Sequence, residues 1–122
     1  MSIKPYSRSE RYGRELMKIL SEIIQREVDT KSIGFVTVTN VVASKDLKHA
    51  KVYVSVLGNA VEMGEVERFF KQRKGYIRGL LGREITSKSV PDLAFHYDDT
   101  SETVDQMERI FSQIHKSDIS SE

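Results

Sequence analysis

Between Ala50 and Leu57 the side chains alternate. Ala50, Val52, Val54 and Val56 stand in one phase, and Lys51, Tyr53, Ser55 and Leu57 in the other. A period of two requires an extended strand with one buried face. The Val- and Thr-rich run Phe35 to Ala43 lies just upstream, across the turn Ser44-Lys45-Asp46, and suits a second strand. The two are predicted to pair as an antiparallel hairpin. The rest of the chain must then cover one face of that hairpin.

The flanking segments carry the helical period. Tyr12, Leu16, Ile19, Leu20, Ile23 and Ile24 recur at helical spacing, and Ser7-Arg8-Ser9-Glu10 reads as a capping box. The first helix is therefore predicted from about Ser7 to Val28. Downstream, Asn59 and Glu62 suggest another cap. Val66, Phe69 and Phe70 begin a stripe that Ile77, Leu80, Leu81 and Ile85 continue. One continuous helix calls for an apolar residue near 73 or 74, but the chain has Arg73-Lys74-Gly75. That pattern predicts a break and two short helices in sequence. Pro91 ends the helical region. Leu93, Phe95 and Tyr97 alternate as a third strand. Asp99 with Glu102 is predicted to cap a last helix carrying Val104, Met107, Ile110, Phe111 and Ile114.

The predicted order is α-β-β-α-α-β-α. It implies a two-layer α+β domain with helices on one face of a small sheet. At 122 residues the chain suits a single domain, 1–122, ordered over about 7–116, with 117–122 a frayed tail.

No stretch reaches the roughly 18 apolar residues of a membrane span. The amino-terminal Met1-Ser2-Ile3-Lys4-Pro5 has no signal-like apolar run. Cysteine is absent, which removes disulfides, thiolate metal sites and cysteine nucleophiles together. A cytoplasmic protein is expected. The net charge of +1 hides an uneven distribution. From Lys71 to Lys88 there are six basic residues and one acid, Glu84. From Asp92 to Glu122 there are eight acids and two bases, Arg109 and Lys116. An anionic partner responds to the local field, not to the sum.

Two basic groups follow. Arg8, Arg11, Arg14 and Lys18 fall within one sector of the first helix, away from Leu16, Ile19 and Ile23, and could track a phosphate backbone. The competing reading is a solvated face with pairs such as Arg11–Glu15. The second group is Arg73, Lys74, Gly75, Arg78, Arg83 and Lys88, around the predicted break. A helix start exposes N–H groups to anions, and Tyr76 offers a face for base stacking. The competing reading is that these charges only keep a helix soluble. If Arg8, Arg11, Arg14, Lys18, Arg73, Lys74 and Arg78 form one surface, the first helix must pack with its basic stripe beside the break.

Gly79-Leu80-Leu81-Gly82 matches the GxxG string of nucleic-acid-clamping loops, but its leucines belong to the apolar stripe. It is therefore predicted to lie inside a helix. His49, His96 and His115 show no metal-ligand spacing, and no hydrolase, P-loop or dinucleotide fingerprint is present. Asp98-Asp99 could hold Mg²⁺ but reads better as a turn and cap. No enzyme activity, cofactor, metal or small-molecule substrate is expected.

Several runs, taken in order, resemble the ribosome-binding factor A family. They are Gly34-Phe35-Val36-Thr37-Val38-Thr39, Asp46-Leu47, Ala50 and Val52-Tyr53-Val54-Ser55, then Gly75-Tyr76-Ile77-Arg78-Gly79-Leu80-Leu81, Pro91-Asp92-Leu93-Ala94-Phe95 and Asp98-Asp99-Thr100-Ser101. The resemblance spans roughly Ser7 to Ile114. It implies a type II KH-like fold with a helix–kink–helix in place of the GxxG loop, plus a carboxy-terminal helix. The kink would fall at Arg73, Lys74 and Gly75. It also implies a non-catalytic, monomeric factor that binds the small (30S) ribosomal subunit and its 16S rRNA during late maturation and rRNA processing. The alternatives are a general KH-like binder of single-stranded RNA, an adaptor using the acidic tail, and a small metal-dependent hydrolase built on Asp98-Asp99.

Overall fold

The computed structural model describes residues 7–57, 62–85 and 89–98. Within them the order is α1 (Arg8–Glu27), β1 (Phe35–Ala43), β2 (His49–Leu57), α2 (Met63–Glu84) and β3 (Asp92–Tyr97). The three strands form one sheet in the order β1-β2-β3. β1 and β2 are antiparallel, whereas β3 runs parallel to β2. A parallel neighbour needs a crossover, and α2 provides it.

The first helix starts where its sequence directs. The Ser7 hydroxyl oxygen accepts from the Glu10 backbone N–H at 3.2 Å and donates to the Glu10 carboxylate at 3.0 Å. Beyond Val28, Asp29 accepts from the Lys31 N–H, and Thr30 O accepts from Ile33 and Gly34. Gly34 leaves this turn at φ 118, a conformation that L side chains rarely adopt. β1 begins directly after it.

The hairpin register pairs Val36 with Val56, Val38 with Val54, Val41 with Val52 and Ala43 with Ala50. A bulge between Val38 and Asn40 shifts the phase of β1, so Val36, Val38 and Val41 are all buried. The connecting turn is held by Asp46. Its carboxylate accepts from the Ser44 hydroxyl at 2.6 Å and the Lys48 N–H at 3.0 Å. The Ser44 and Lys48 hydrogen bonds keep this carboxyl below its usual range.

Both helices cover the same side of the sheet. Leu16, Leu20 and Ile23 of α1, Val52 and Val54 of β2, and Val66, Phe70, Ile77 and Leu81 of α2 are completely buried. Phe70 stacks on Phe95 with ring centroids 4.9 Å apart. This is the two-layer α+β arrangement expected, with Ala50, Val52 and Val54 facing inward.

The middle of the chain departs from expectation. α2 is one helix of 22 residues, passing through Arg73, Lys74 and Gly75 without interruption. The gap in the apolar stripe is filled by amphipathic side chains. The Arg73 guanidinium lies 3.6 Å from the centroid of the Phe69 ring and donates to Phe69 O at 3.0 Å. Lys74 extends to Asp92 at 3.1 Å. Long basic side chains can cover apolar surface while keeping their charge in water, so a missing aliphatic residue does not require a break. Gly79 and Gly82 lie within α2, as predicted for the GxxG string. The predicted carboxy-terminal helix, Lys88 and the Asn59 cap fall outside the described residues. Glu62 caps α2 without a side-chain hydrogen bond. Among the described residues, no helix is long and apolar enough to cross a membrane.

Candidate nucleic-acid interface

The α1 stripe has the exposure an anion-binding surface requires. Arg8, Arg11, Arg14 and Lys18 all face outward, opposite Leu16, Leu20 and Ile23. The Arg11–Glu15 pairing that a merely solvated face would favour does not form among the described residues. Arg14 borders a shallow recess with Ser9, Glu10 and Asn40 to Ala43 of β1. The stripe therefore sits beside the outer edge of the hairpin.

The α2 group is dispersed. Arg73 is folded back over Phe69. Arg78 donates from Nε to Pro91 O and from Nη2 to Val90 O, both at 3.0 Å, and so fixes the entry to β3. Lys74 pairs with Asp92, and its hydrogen bond lowers the Asp92 carboxyl below its ordinary value. Gly75 and Arg83 are exposed. With the helix continuous, no second helix start exists at Gly75 to offer N–H groups to a phosphate. Arg73, Lys74 and Arg78, three cations expected at an anion site, are engaged with α2 and the β3 approach.

Arg73 and Tyr76 lie at the far end of α1 from the stripe. The carboxy-terminal end of α1, Glu27 to Ser32, shares a recess with Gln72, Arg73 and Tyr76, and Arg26 reaches Glu84 at 3.5 Å. Lys18 lies nine residues before Glu27, or about 13 Å along the axis at 1.5 Å per residue. Arg8 is about 28 Å away on the same basis. The basic stripe thus occupies the end of α1 remote from Arg73 and Tyr76. Tyr76 is exposed, at 55%, and remains available for stacking.

Lys71, of the basic run noted above, has a neighbour in Arg68, which the sequence pattern does not mark. Arg68 and Lys71 line a groove between α2 and β3 together with Glu67, Lys74 and Asp92 to His96. The spacing of Glu67, Lys71, Lys74 and Arg78 marks one helix face and could have identified Lys71, had α2 been read as continuous. Asp98 accepts from the Thr39 hydroxyl at 2.6 Å, its N–H donates to Val54 O and its carbonyl accepts from the Ser55 hydroxyl, so it extends the ladder to β2; Asp99 lies outside the described residues. Among the described residues, no group of three potential metal ligands occurs.

Comparison with known proteins agrees with the fold. The family model described as ribosome-binding factor A matches residues 8–111. The ribosome-binding factor A of Natranaerobius thermophilus is 41% identical over 107 residues, covering 88% of this chain and 82% of the relative. That of Staphylococcus carnosus is 38% identical over 111 residues, covering 91% and 96%. A solution structure of a Thermotoga maritima protein described as a ribosome binding factor A superposes with a TM-score of 0.66 at 29% identity, covering 82% of this chain and 96% of that one. A homology model of the Thermus thermophilus ribosome binding factor A, as fitted into the cryo-EM map of a 30S complex, superposes at 0.58 with 27% identity, covering 72% and 92%.

Proposed function

Since the chain belongs to the ribosome-binding factor A family, we propose that it is a non-catalytic assembly factor that binds the small ribosomal subunit and its 16S rRNA during late maturation and rRNA processing. The observation that carries this reading is the match over residues 8–111, joined to a relative of the same fold placed in a 30S complex. The outward stripe Arg8, Arg11, Arg14 and Lys18 supplies the physical means. Four cations on one helix face meet phosphates and not base edges, so binding depends on RNA shape more than on sequence. The α1-β1-β2-α2-β3 order supports a KH-like arrangement in which α2 takes the place of two helices.

The test is sedimentation of the protein with isolated small subunits through a gradient, beside binding to a short unstructured RNA. Co-migration with subunits, and much weaker binding to the short RNA, is expected. Equal affinity for both would favour a general binder of single-stranded RNA. Failure to co-migrate at low salt would overturn the ribosomal reading.

A further inference from the structure

The groove between α2 and the outer edge of β3 contains an incomplete ladder. Among the described residues β3 is the edge strand, with no strand paired on its outer side. Asp92 N and Asp98 N bond to Lys48 O and Val54 O of the β2 side. The pleat alternates, so Leu93, Phe95 and Tyr97 direct their N–H and C=O groups outward, toward the groove. The α2 face opposite runs antiparallel to β3 and closes on it at three places. Glu67 accepts from the Tyr97 N–H at 3.2 Å, Lys74 pairs with Asp92 at 3.1 Å, and Arg78 holds Pro91 O and Val90 O. Between Glu67 and Lys74 the same face presents Lys71, with Arg68 beside it. Both are exposed, line the groove and have no ion-pair or hydrogen-bond partner among the described residues. They stand opposite the middle of the strand, where the main-chain groups of Leu93 and Phe95 face outward while their side chains stay in the core.

We propose that this groove binds an extended acidic segment of a protein partner, which adds to the β3 edge through Leu93 and Phe95 and sets carboxylates against Lys71 and Arg68. Edge-strand addition supplies affinity through main-chain hydrogen bonds and specificity through alternate side chains. Glu67 already shows the chemistry within the molecule, since a carboxylate on the α2 side satisfies an outward N–H of this edge. A protein strand is favoured over RNA because the edge offers donors and acceptors at strand spacing. The two uncommitted charges lie on one flank, where every second side chain of a docked strand would face them. The groove is separate from the α1 stripe, so the proposal stands or falls apart from subunit binding.

The experiment uses the full chain and an acetylated, amidated hexapeptide of alternating valine and glutamate. Backbone amide shifts are followed by NMR. Leu93 and Phe95 should show the largest changes, and R68E combined with K71E should weaken binding by about tenfold. The same peptide with glutamine for glutamate should be weakened similarly, and R11A should have no effect. The proposal is overturned if Leu93 and Phe95 do not respond, or if the double reversal leaves affinity unchanged. A uridine hexanucleotide that displaces the peptide with the same footprint would make the groove an RNA site and overturn it equally.

Discussion

A Cβ placed on Gly13 of α1 would stand 2.7 Å from the carbonyl oxygen of Val41 in β1. Side-chain carbons do not approach backbone oxygens that closely, so the absence of a side chain lets the helix lie against the strand just past the bulge. In an exposed helix, Gly→Ala is stabilising by about 1 kcal/mol. At Gly13 the sign should reverse, because either helix or strand must move. Gly13→Ala is expected to cost about 1–3 kcal/mol, read as a fall in denaturant midpoint at unchanged slope.

Gly75 and Gly79 should behave oppositely. Both lie within α2, and a Cβ at either would meet nothing within 4 Å. The predicted break would have required a special glycine conformation at 75, whereas the continuous helix does not. Gly75→Ala and Gly79→Ala are each expected to raise stability by about 0.5–1 kcal/mol. A loss on thermal melting at either position would indicate a backbone need that this helix does not show.

The contrast among these glycines shows what the sequence made legible. Element identity was readable wherever the apolar period was unbroken, as in Leu16 to Ile24 and Ala50 to Val56, and β1 falls at its predicted bounds. The continuity of α2 is not legible from apolar periodicity, which counts only apolar residues. Such a count gives no weight to an arginine that covers Phe69 or a lysine that spans to Asp92. The parallel placement of β3 and the roles of Arg73, Lys74 and Arg78 were likewise hidden, since each depends on contacts between segments distant in the chain. The α1 stripe was readable because one helix alone determines it.

Val54 tests the core directly. It is fully buried between the helices and pairs with Val38 and Tyr97. Val54→Ala removes two methyl groups and should cost about 1–3 kcal/mol. Exposed Val42, on the other face of the hairpin, should tolerate the same change with a much smaller loss in the same melts.

The Lys74–Asp92 pair gives a pH signature. Its hydrogen bond lowers the Asp92 carboxyl below the ordinary 3.8. A carboxyl depressed in the folded state adds stability above its unfolded value, and that stability is lost as pH falls through the folded value. Asp92→Asn should therefore melt below the parent at pH 5 to 7, with the gap narrowing as the pH drops beneath about 3.8. The effect should be small, because both side chains are partly solvated. A gap that widened on acidification would contradict the pairing.

Finally, salt dependence separates cations that meet RNA from those that hold the fold. If Arg8, Arg11, Arg14 and Lys18 each neutralise a phosphate, the log–log slope of subunit binding against salt should be roughly −3 to −3.5. Arg11→Ala with Lys18→Ala should flatten it by about 1.5 units while leaving the melting temperature nearly unchanged. Arg78→Ala should do the reverse. It removes both hydrogen bonds to Val90 O and Pro91 O, so it should lower the melting temperature and leave the slope of the remaining folded protein intact. Binding across a salt series, paired with a melt of each variant, distinguishes the two roles. An unchanged slope in the α1 double variant would remove this helix from the RNA interface.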